Sequence, residues 1–477
     1  PFSATDIQTF LSAKLGCERA TQILEHFENL GLKDWLGNPQ TLDLISAIGR
    51  EPNLPQTRSQ LYAKAVQKLA EEHNAEKIEQ QLLPATVISA AGAACAALIL
   101  CSQTSIVRKP SAHLVDGEIL LPAVKLLPDG AYIEQALDTR LFVAHGPDQF
   151  GYMHRRIGEY LAAQWLTQQA NTDRKRRRLL AMFQHAGMVP ANLRGLYAWL
   201  AHDSQLAEHV IAFDPLAILE YGETDDLLPH QARLLYQALA RLTQGDPHQW
   251  QLRSFKARCF GQSDLQTDVA HWITPQDPIM TPLRVLVIES LEATAMARLL
   301  YRQLKHIITN TEDFYAARQA AFQSLASILS RQESEELIDQ LAALNDEDSL
   351  RLALELAHTQ GFGQFQAHVL AEISLAYAMT NSRMSGKFFY LEQELPDSHL
   401  VDFLNVFTDG IGRLKEHQDY ELLYEINDLA FALIAKAVNA QLPDDCQMLQ
   451  WLSSLDSYHC ITEKKKQLNE QKAQLNE

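Results

Sequence analysis

Apolar residues recur every three or four positions through most of the chain, which is the period of an α-helix. Near the start, Thr5–Gln8 has the pattern of a capping box, and apolar residues at helical spacing follow it. Pro39 stands where a helix would begin, and Thr57–Gln60 is a second capping-box pattern. These signals predict a bundle of short helices over residues 1–75.

The pattern changes in residues 76–170. A long apolar helix is predicted over 82–100, and two strand-like runs, 141–144 and 150–153, are joined by a turn that contains Gly and Pro. A helix with an apolar face follows the second run at once. Helices that end in a small hairpin are the outline of a winged-helix domain, and we expect this hairpin to hold the only strands.

Helices follow one another from 171 to 460, with Asp214-Pro215 and Asp277-Pro278 as two clear starts. The fold class predicted for the whole chain is therefore mainly α, a helical bundle and a winged helix followed by an α-solenoid of HEAT-like repeats. No clean repeat period is visible, so the repeats would be degenerate, and an irregular helical bundle is the alternative. We expect residues 461–477 to form a polar helical tail.

The charge balance argues against nucleic acid or an anionic membrane as a partner. The chain has 41 Lys and Arg against 59 Asp and Glu, a formal net charge of −18. Binding to phosphate groups depends on local positive charge, which such a chain lacks overall. The run Arg174–Arg178 is the exception, and we interpret it as the solvated face of a helix.

Cysteine usage and hydropathy favour a cytoplasmic protein. The 6 cysteines are scattered and form no CxxC pair, which fits neither a disulfide framework nor a zinc module. No signal peptide opens the chain. The stretch 82–101 has the length of a membrane span, but its alanine, proline and hydroxyl residues predict a buried helix.

A search for catalytic machinery finds none in this chain. There is no phosphate-binding loop, since Gly386-Lys387 lacks the upstream glycine and is followed by Phe388. No HExxH, GxSxG or GxGxxG is present, and the histidines and cysteines show no metal-ligand spacing.

Three stretches are informative when taken together: Gly37–Leu42, Leu54–Tyr62 and His154–Ala163. The first is a Gly-x-Pro helix start against which a flat ligand could pack. The third places His154 between a strand and the first turn of a helix, where N–H groups and partial positive charge favour an anion. An imidazole there can donate a hydrogen bond to phosphate. Taken alone, the position favours a capping or core histidine over a phosphate contact.

In order and spacing, the three stretches resemble the region after the ATPase core in NACHT proteins, within the STAND class of signal-transduction ATPases. The resemblance covers about residues 1–170. It implies that Pro39 packs near the adenine of ATP or ADP and that His154 donates to the β-phosphate of ADP. Arg155 replaces an Asp of related immune receptors, and Arg156-Ile157 replaces the usual Ser-Phe, so the helix start is expected to be less well capped.

The resemblance further implies a regulatory and sensor role for this chain. The phosphate-binding loop and the Mg²⁺ site would belong to an upstream NTPase core that is absent here, so the full-length protein would be the NTPase. Helical repeats would recognise a protein trigger, activation would bring self-association, and antiphage defence is one implied role. The alternative is a non-switching helical-repeat scaffold. A winged-helix transcription regulator is disfavoured, because the candidate recognition helix at 132–137 is acidic.

Overall fold

The computed structural model describes residues 3–29, 39–70, 83–109, 116–146, 148–245, 257–275, 277–380, 387–414 and 420–455. The predicted fold class is confirmed at the level of a mainly helical protein. The chain divides into two compact units, Pro1–Gly245 and Asp246–Glu477. The domain boundaries predicted at 75/76 and 170/171 both lie inside the first unit.

The described residues at the start of the first unit form α1 (Ala4–Leu15), α2 (Cys17–Asn29), α3 (Pro39–Gly49) and α4 (Arg58–Ala70). The capping box predicted at Thr5–Gln8 is wrong, because Ser3 and Asp6 form it instead. The Ser3 hydroxyl accepts from the Asp6 amide at 3.2 Å, and the Asp6 carboxylate accepts from the Ser3 amide at 3.0 Å. At α4, Thr57 accepts from the Gln60 amide at 3.2 Å, as its pattern predicts.

The middle of the first unit combines helices with a small sheet. Its elements are α5 (Pro84–Leu100), β1 (Ser105–Val107), β2 (Glu118–Leu120), α6 (Leu121–Val124), a 3₁₀ turn (Gly130–Tyr132), α7 (Ile133–Leu137), β3 (Phe142–Gly146), β4 (Gln149–Tyr152) and α8 (Arg155–Gln169). The sheet order is β2-β1-β4-β3, with β1 parallel to β2 and antiparallel to β4. The expectation that the hairpin holds the only strands is therefore wrong.

Helices α5 and α8 cross at close range. A Cβ atom added to Gly92 of α5 would lie 2.7 Å from the Trp165 Cβ and 2.8 Å from the Leu161 carbonyl oxygen of α8. Only glycine allows this approach. Asp129 links the two helices, since its carboxylate accepts from Ser89 of α5 at 2.9 Å and from the Trp165 indole of α8 at 3.1 Å. The sheet contacts this helical pair through β1 on α5 and β4 on α8.

The first unit ends with five helices: α9 (Asp173–Phe183), α10 (Arg194–Trp199), α11 (Ala207–Phe213), α12 (Pro215–Tyr221) and α13 (Pro229–Gly245), with 3₁₀ turns at Ala191–Leu193 and Leu200–His202. Asp214 caps α12 as its sequence predicts, accepting from the Ala217 amide at 3.0 Å. Helix α10 packs on α8, so these residues continue the core of the first unit.

The second unit is built of helices throughout its described residues. These are α14 (Gln266–Trp272), α15 (Thr281–Glu289), α16 (Ala295–Leu299), α17 (Tyr301–Thr309), α18 (Tyr315–Ala326), α19 (Arg331–Leu344), α20 (Glu347–Gln360), α21 (Ala367–Thr380), α22 (Lys387–Glu394), α23 (Asp397–Leu414), α24 (Tyr420–Asn439) and α25 (Asp445–Ser454), with 3₁₀ turns at Arg258–Gly261, Ser263–Leu265, Pro278–Met280 and Phe362–Gln364. Alternate helices form two rows. One row contains α15, α18, α20, α22 and α24, and α17, α19, α21, α23 and α25 flank it.

Two buried arginines link successive helices of the first row. Arg284 of α15 donates to both carboxylate oxygens of Asp313 at 2.6 Å and to the Ile273 carbonyl at 2.6 Å. Arg318 of α18 repeats this arrangement one helix pair later, with the Ile308 carbonyl at 2.9 Å and Asp346 at 3.5 Å. Each arginine thus reaches an aspartate in the turn before the next helix of the row, 29 and 28 residues further along. We call this pair of links the Arg–Asp ladder.

Within the residues that the structure covers, no helix is both long enough and apolar enough to cross a membrane. The apolar helix predicted over 82–100 is α5, and most of its side chains are buried in the first unit.

Candidate functional site

Pro39 and His154 are the two residues predicted to contact the nucleotide, and only the backbone of Pro39 is described. Pro39 is the first residue of α3, as the Gly-x-Pro pattern predicts. Its side chain and the preceding Gly37-Asn38 lie outside the described residues. Further along α3, Leu42 is fully buried, so this motif also contributes to the core.

His154 is the N-cap of α8. Its backbone is extended, with φ −144° and ψ 132°, and its Nδ1 accepts a hydrogen bond from the Arg156 amide at 3.2 Å. Because Nδ1 is the acceptor, a neutral ring carries its proton on Nε2, which makes Nε2 a hydrogen-bond donor. This helix start therefore has a side-chain cap, which the histidine itself provides.

The second and third sequence motifs meet beside this helix start. Tyr62 of α4 packs edge-on against Tyr160 of α8, with the ring centroids 5.6 Å apart. The Tyr62 hydroxyl is hydrogen-bonded to the Arg156 side chain, and burial raises its pKa to about 12. Trp199 of α10 completes the cluster, 5.2 Å from Tyr62 and 5.1 Å from Tyr160. The start of α8 is therefore held rigidly against α4.

An ion pair between a half-exposed arginine and a buried glutamate supports the first turn of α8. Arg155 donates to Glu159 at 2.9 Å, and Glu159 is only 5% exposed. Burial raises the pKa of the Glu159 carboxyl, and the bond from Arg155 opposes that shift. Gly195 of α10 makes room for this carboxylate, because a Cβ atom there would lie 2.1 Å from Glu159 Oε2. The pair fixes Arg155 in a structural contact.

An acidic loop, Gly222–Asp226, lies on the N-terminus of α4. The Arg58 amide donates to Glu223 Oε2 at 2.5 Å, and the Ser59 hydroxyl donates to Asp226 at 2.5 Å. Glu223 is 7% exposed, and burial raises the pKa of its carboxyl. Since a helix N-terminus has unpaired N–H groups and partial positive charge, this loop acts as a remote cap for α4.

Sequence reasoning did not identify Glu223 or Trp199, the residues that hold the motif helices in place. The bond between Arg58 and Glu223 spans 165 residues, so no local pattern announces it. The one signal in the sequence was a glutamate directly after Gly222 at the end of a predicted helix, and that signal is weak.

The described parts of the chain contain no group of three or more His, Cys, Asp or Glu side chains that could hold a metal ion. No family model matches the chain, and neither a curated protein nor a solved structure matches it. The functional assignment consequently depends on the motifs and on the geometry around α4, α8 and the Arg–Asp ladder.

Proposed function

We propose that this chain is the regulatory and sensor part of a NACHT-type STAND protein, acting in the cytoplasm in a defence pathway. Residues 1–170 would respond to ADP or ATP held by an NTPase core, and residues 171–460 would recognise a protein trigger. A ligand shifts such a switch only if it binds one state more tightly than the other.

The observation that carries the proposal is the position of His154. It caps a helix whose N-terminus favours anions, with its ring oriented so that Nε2 is the donor. A phosphate oxygen of ADP accepts from such a donor. The contact between Tyr62 and Tyr160 also supports the proposal, because it brings the second and third sequence motifs into one cluster.

The middle of the first unit supports a winged helix as the domain that contains His154. Strand β1 follows the long helix α5 and pairs with β4, the second strand of the hairpin, after two intervening short helices. A helix, a strand, two helices and a hairpin that pairs with the first strand are the arrangement of a winged helix. The parallel strand β2 is an addition to it.

The Arg–Asp ladder supports HEAT-like repeats in the second unit. Arg284 and Arg318 stand 34 residues apart, and their partners Asp313 and Asp346 stand 33 apart. Repeat proteins stack one helical pair on the next through the same contact at each step. An extended row of stacked helices offers the surface on which a protein trigger would bind.

The test is the ADP content of the purified full-length protein and of two His154 variants. His154→Ser keeps an N-cap oxygen but lacks the imidazole donor, whereas His154→Ala lacks both. If His154 holds a phosphate, both variants lose bound ADP by about 10- to 100-fold in affinity, the size of one charge-assisted hydrogen bond. His145→Ala, on strand β3 of the same hairpin, is the matched control and retains ADP.

The stability of α8 separates the two roles of His154. Removing a capping side chain costs about 1 kcal/mol, so His154→Ala lowers the stability of α8 and His154→Ser does not. Full ADP retention in His154→Ser, together with a loss of stability in His154→Ala, would show a capping histidine only and overturn the nucleotide proposal.

A non-switching scaffold is the second candidate, and the two-row helical array of the second unit favours it. A scaffold binds its partner with the same affinity whether ADP or ATP is present. A switch changes that affinity, because coupling between two sites is reciprocal. Titrating the trigger protein against the ADP-bound and ATP-bound forms distinguishes the two functions.

A further inference from the structure

Helix α9 carries a cationic face that the proposed switch does not use. Its first two turns contain five consecutive basic residues, and four of these have exposed side chains: Arg174, Lys175, Arg177 and Arg178. The fifth, Arg176, is half-buried and forms an ion pair with Asp173 at 2.8 Å. We call the four exposed residues the α9 cations.

The chain itself does not neutralise the α9 cations. None of the four forms an ion pair with a carboxylate in the described part of the chain. Lys175 donates to the side-chain oxygen of Asn171 at 3.1 Å, and Arg177 donates to a backbone carbonyl at 3.4 Å, so both of these partners are neutral. Asp173 is the only acidic residue between Glu159 and Asp203. An anionic ligand would therefore meet little competition from this stretch of the chain.

The α9 cations are arranged symmetrically around the helix, in which successive side chains are about 100° apart. Arg174 and Arg178 lie about 20° to either side of the middle of the exposed face. Lys175 and Arg177 lie about 80° from that middle, on opposite flanks. The buried side chains of α9 are on the far side: Leu179, Leu180 and Phe183. The helix therefore presents two central and two flanking cations over an arc of about 160°.

The width of this arc discriminates among anionic partners. A flat lipid surface, or one row of carboxylates on a partner helix, meets the middle of the face but not both flanks. The major groove of B-form DNA is about 12 Å wide and admits an α-helix about 10–12 Å across, with a phosphate backbone along each wall. Phosphates on both walls match cations on both flanks. The major groove of an RNA duplex is too deep and narrow for side chains to read.

We propose that the α9 cations bind the major groove of double-stranded DNA. Lys175 and Arg177 contact phosphates on the two walls. Arg174 and Arg178 point to the floor of the groove, where guanine O6 and N7 accept two hydrogen bonds from an arginine. The net charge of −18 does not prevent this contact, because charges more than about 10 Å away are largely screened at 0.1 M salt. The proposal uses no nucleotide switch, so loss of ADP in a His154 variant leaves it untouched.

The experiment is fluorescence anisotropy of a short labelled DNA duplex, titrated with the 477-residue chain at several salt concentrations. The logarithm of the binding constant falls with the logarithm of the salt concentration, with a slope of about −0.9 for each phosphate neutralised. Lys175→Gln/Arg177→Gln should therefore flatten the slope by about 1.8 and weaken binding at 0.1 M salt by about 60-fold. Arg241→Gln/Arg302→Gln, at exposed positions of α13 and α17, removes the same charge elsewhere and should leave the slope unchanged.

The central arginines have a readout of their own, the preference between a G·C-rich and an A·T-rich duplex of equal length. Because a bidentate arginine–guanine pair discriminates between bases, the parent chain should bind the G·C-rich duplex about 10-fold more tightly. Arg174→Gln/Arg178→Gln should bind both duplexes equally. Circular dichroism of each variant should match that of the parent, since the replaced side chains are exposed.

Three results overturn the proposal. A parent chain that binds neither DNA duplex at about 50 mM salt has no such site. Equal losses in Lys175→Gln/Arg177→Gln and in Arg241→Gln/Arg302→Gln would show a general effect of charge rather than a contact of α9. Tighter binding to an RNA duplex of the same sequence, or binding to phosphatidylserine vesicles in place of DNA, would assign the α9 cations to a different partner.

Discussion

Breaking one link of the Arg–Asp ladder should destabilise the second unit strongly. In Asp313→Ala the Arg284 guanidinium loses both carboxylate bonds, each 2.6 Å long, and keeps the Ile273 carbonyl. The two side chains are only 6% and 3% exposed, so water cannot replace the lost partner. Removing one member of a buried ion pair costs about 3–5 kcal/mol, and we expect a loss of that size.

Replacing both members should cost far less than replacing one. A buried pair pays a large desolvation penalty, so apolar side chains of similar volume are often neutral or stabilising by about 1–4 kcal/mol. Arg284→Met/Asp313→Leu should therefore be more stable than Asp313→Ala by at least about 2 kcal/mol. The second link gives a graded comparison: Asp346 lies 3.5 Å from Arg318 and is 36% exposed, so Asp346→Ala should cost less than Asp313→Ala.

Native-state hydrogen exchange measured by mass spectrometry reads these differences locally. Peptides from α15 and α18 report on the ladder, and peptides from α8 serve as the internal control in the other unit. An exposed change, Asp339→Ala, should leave α15 and α18 unaffected. A loss below about 1 kcal/mol in Asp313→Ala, or equal losses in the single and double variants, would refute this account of the ladder.

Three further predictions follow from the other contacts. Gly92→Val should destabilise the first unit by about 3 kcal/mol or more in urea unfolding, because its side chain would overlap the Trp165 side chain and the Leu161 carbonyl. Glu223→Ala should accelerate hydrogen exchange of the first amides of α4 without affecting α8. The hydrogen bond from Arg298 lowers the pKa of Glu333 from 4.5 to about 2. The ionised Glu333 carboxylate therefore stabilises the folded state fully above pH 4.5, and this contribution is lost as the pH falls through about 2. Glu333→Gln should remove that part of the pH dependence, about 1 kcal/mol for so solvated a pair, in acid unfolding followed by circular dichroism.

Local signals predicted the helices well and the sheet only in part. Pro39, Asp214 and Thr57 each stand at a helix start, because capping is a property of a few neighbouring residues. The Thr5–Gln8 pattern failed since Ser3, two residues earlier, has an aspartate at the same spacing. Strands β1 and β2 were missed because each has three residues, too few to show an alternation of apolar and polar positions.

The candidate site and the Arg–Asp ladder depend on distant contacts that no short pattern contains. The position of His154 between strand and helix was predicted, and its role as a cap was kept as an alternative. The partner that completes α4, Glu223, lies too far along the chain to be recognised. The ladder was not visible in the sequence because each step is one Arg and one Asp rather than an apolar pattern.

The remote cap of α4 has a consequence for the order in which the protein folds during synthesis. The ladder bonds of the second unit join residues 28 to 29 positions apart, whereas the Arg58 amide must wait for a carboxylate 165 residues later. At about 5–20 residues per second, a ribosome needs about 8–33 s to make that stretch. During this interval Thr57 caps the nascent helix, but its Arg58 amide still lacks the carboxylate partner, and its aromatic partner Trp199 is also missing at first. A chaperone that binds nascent chains would therefore meet the first unit incomplete for many seconds, while each ladder step of the second closes almost as soon as it is made.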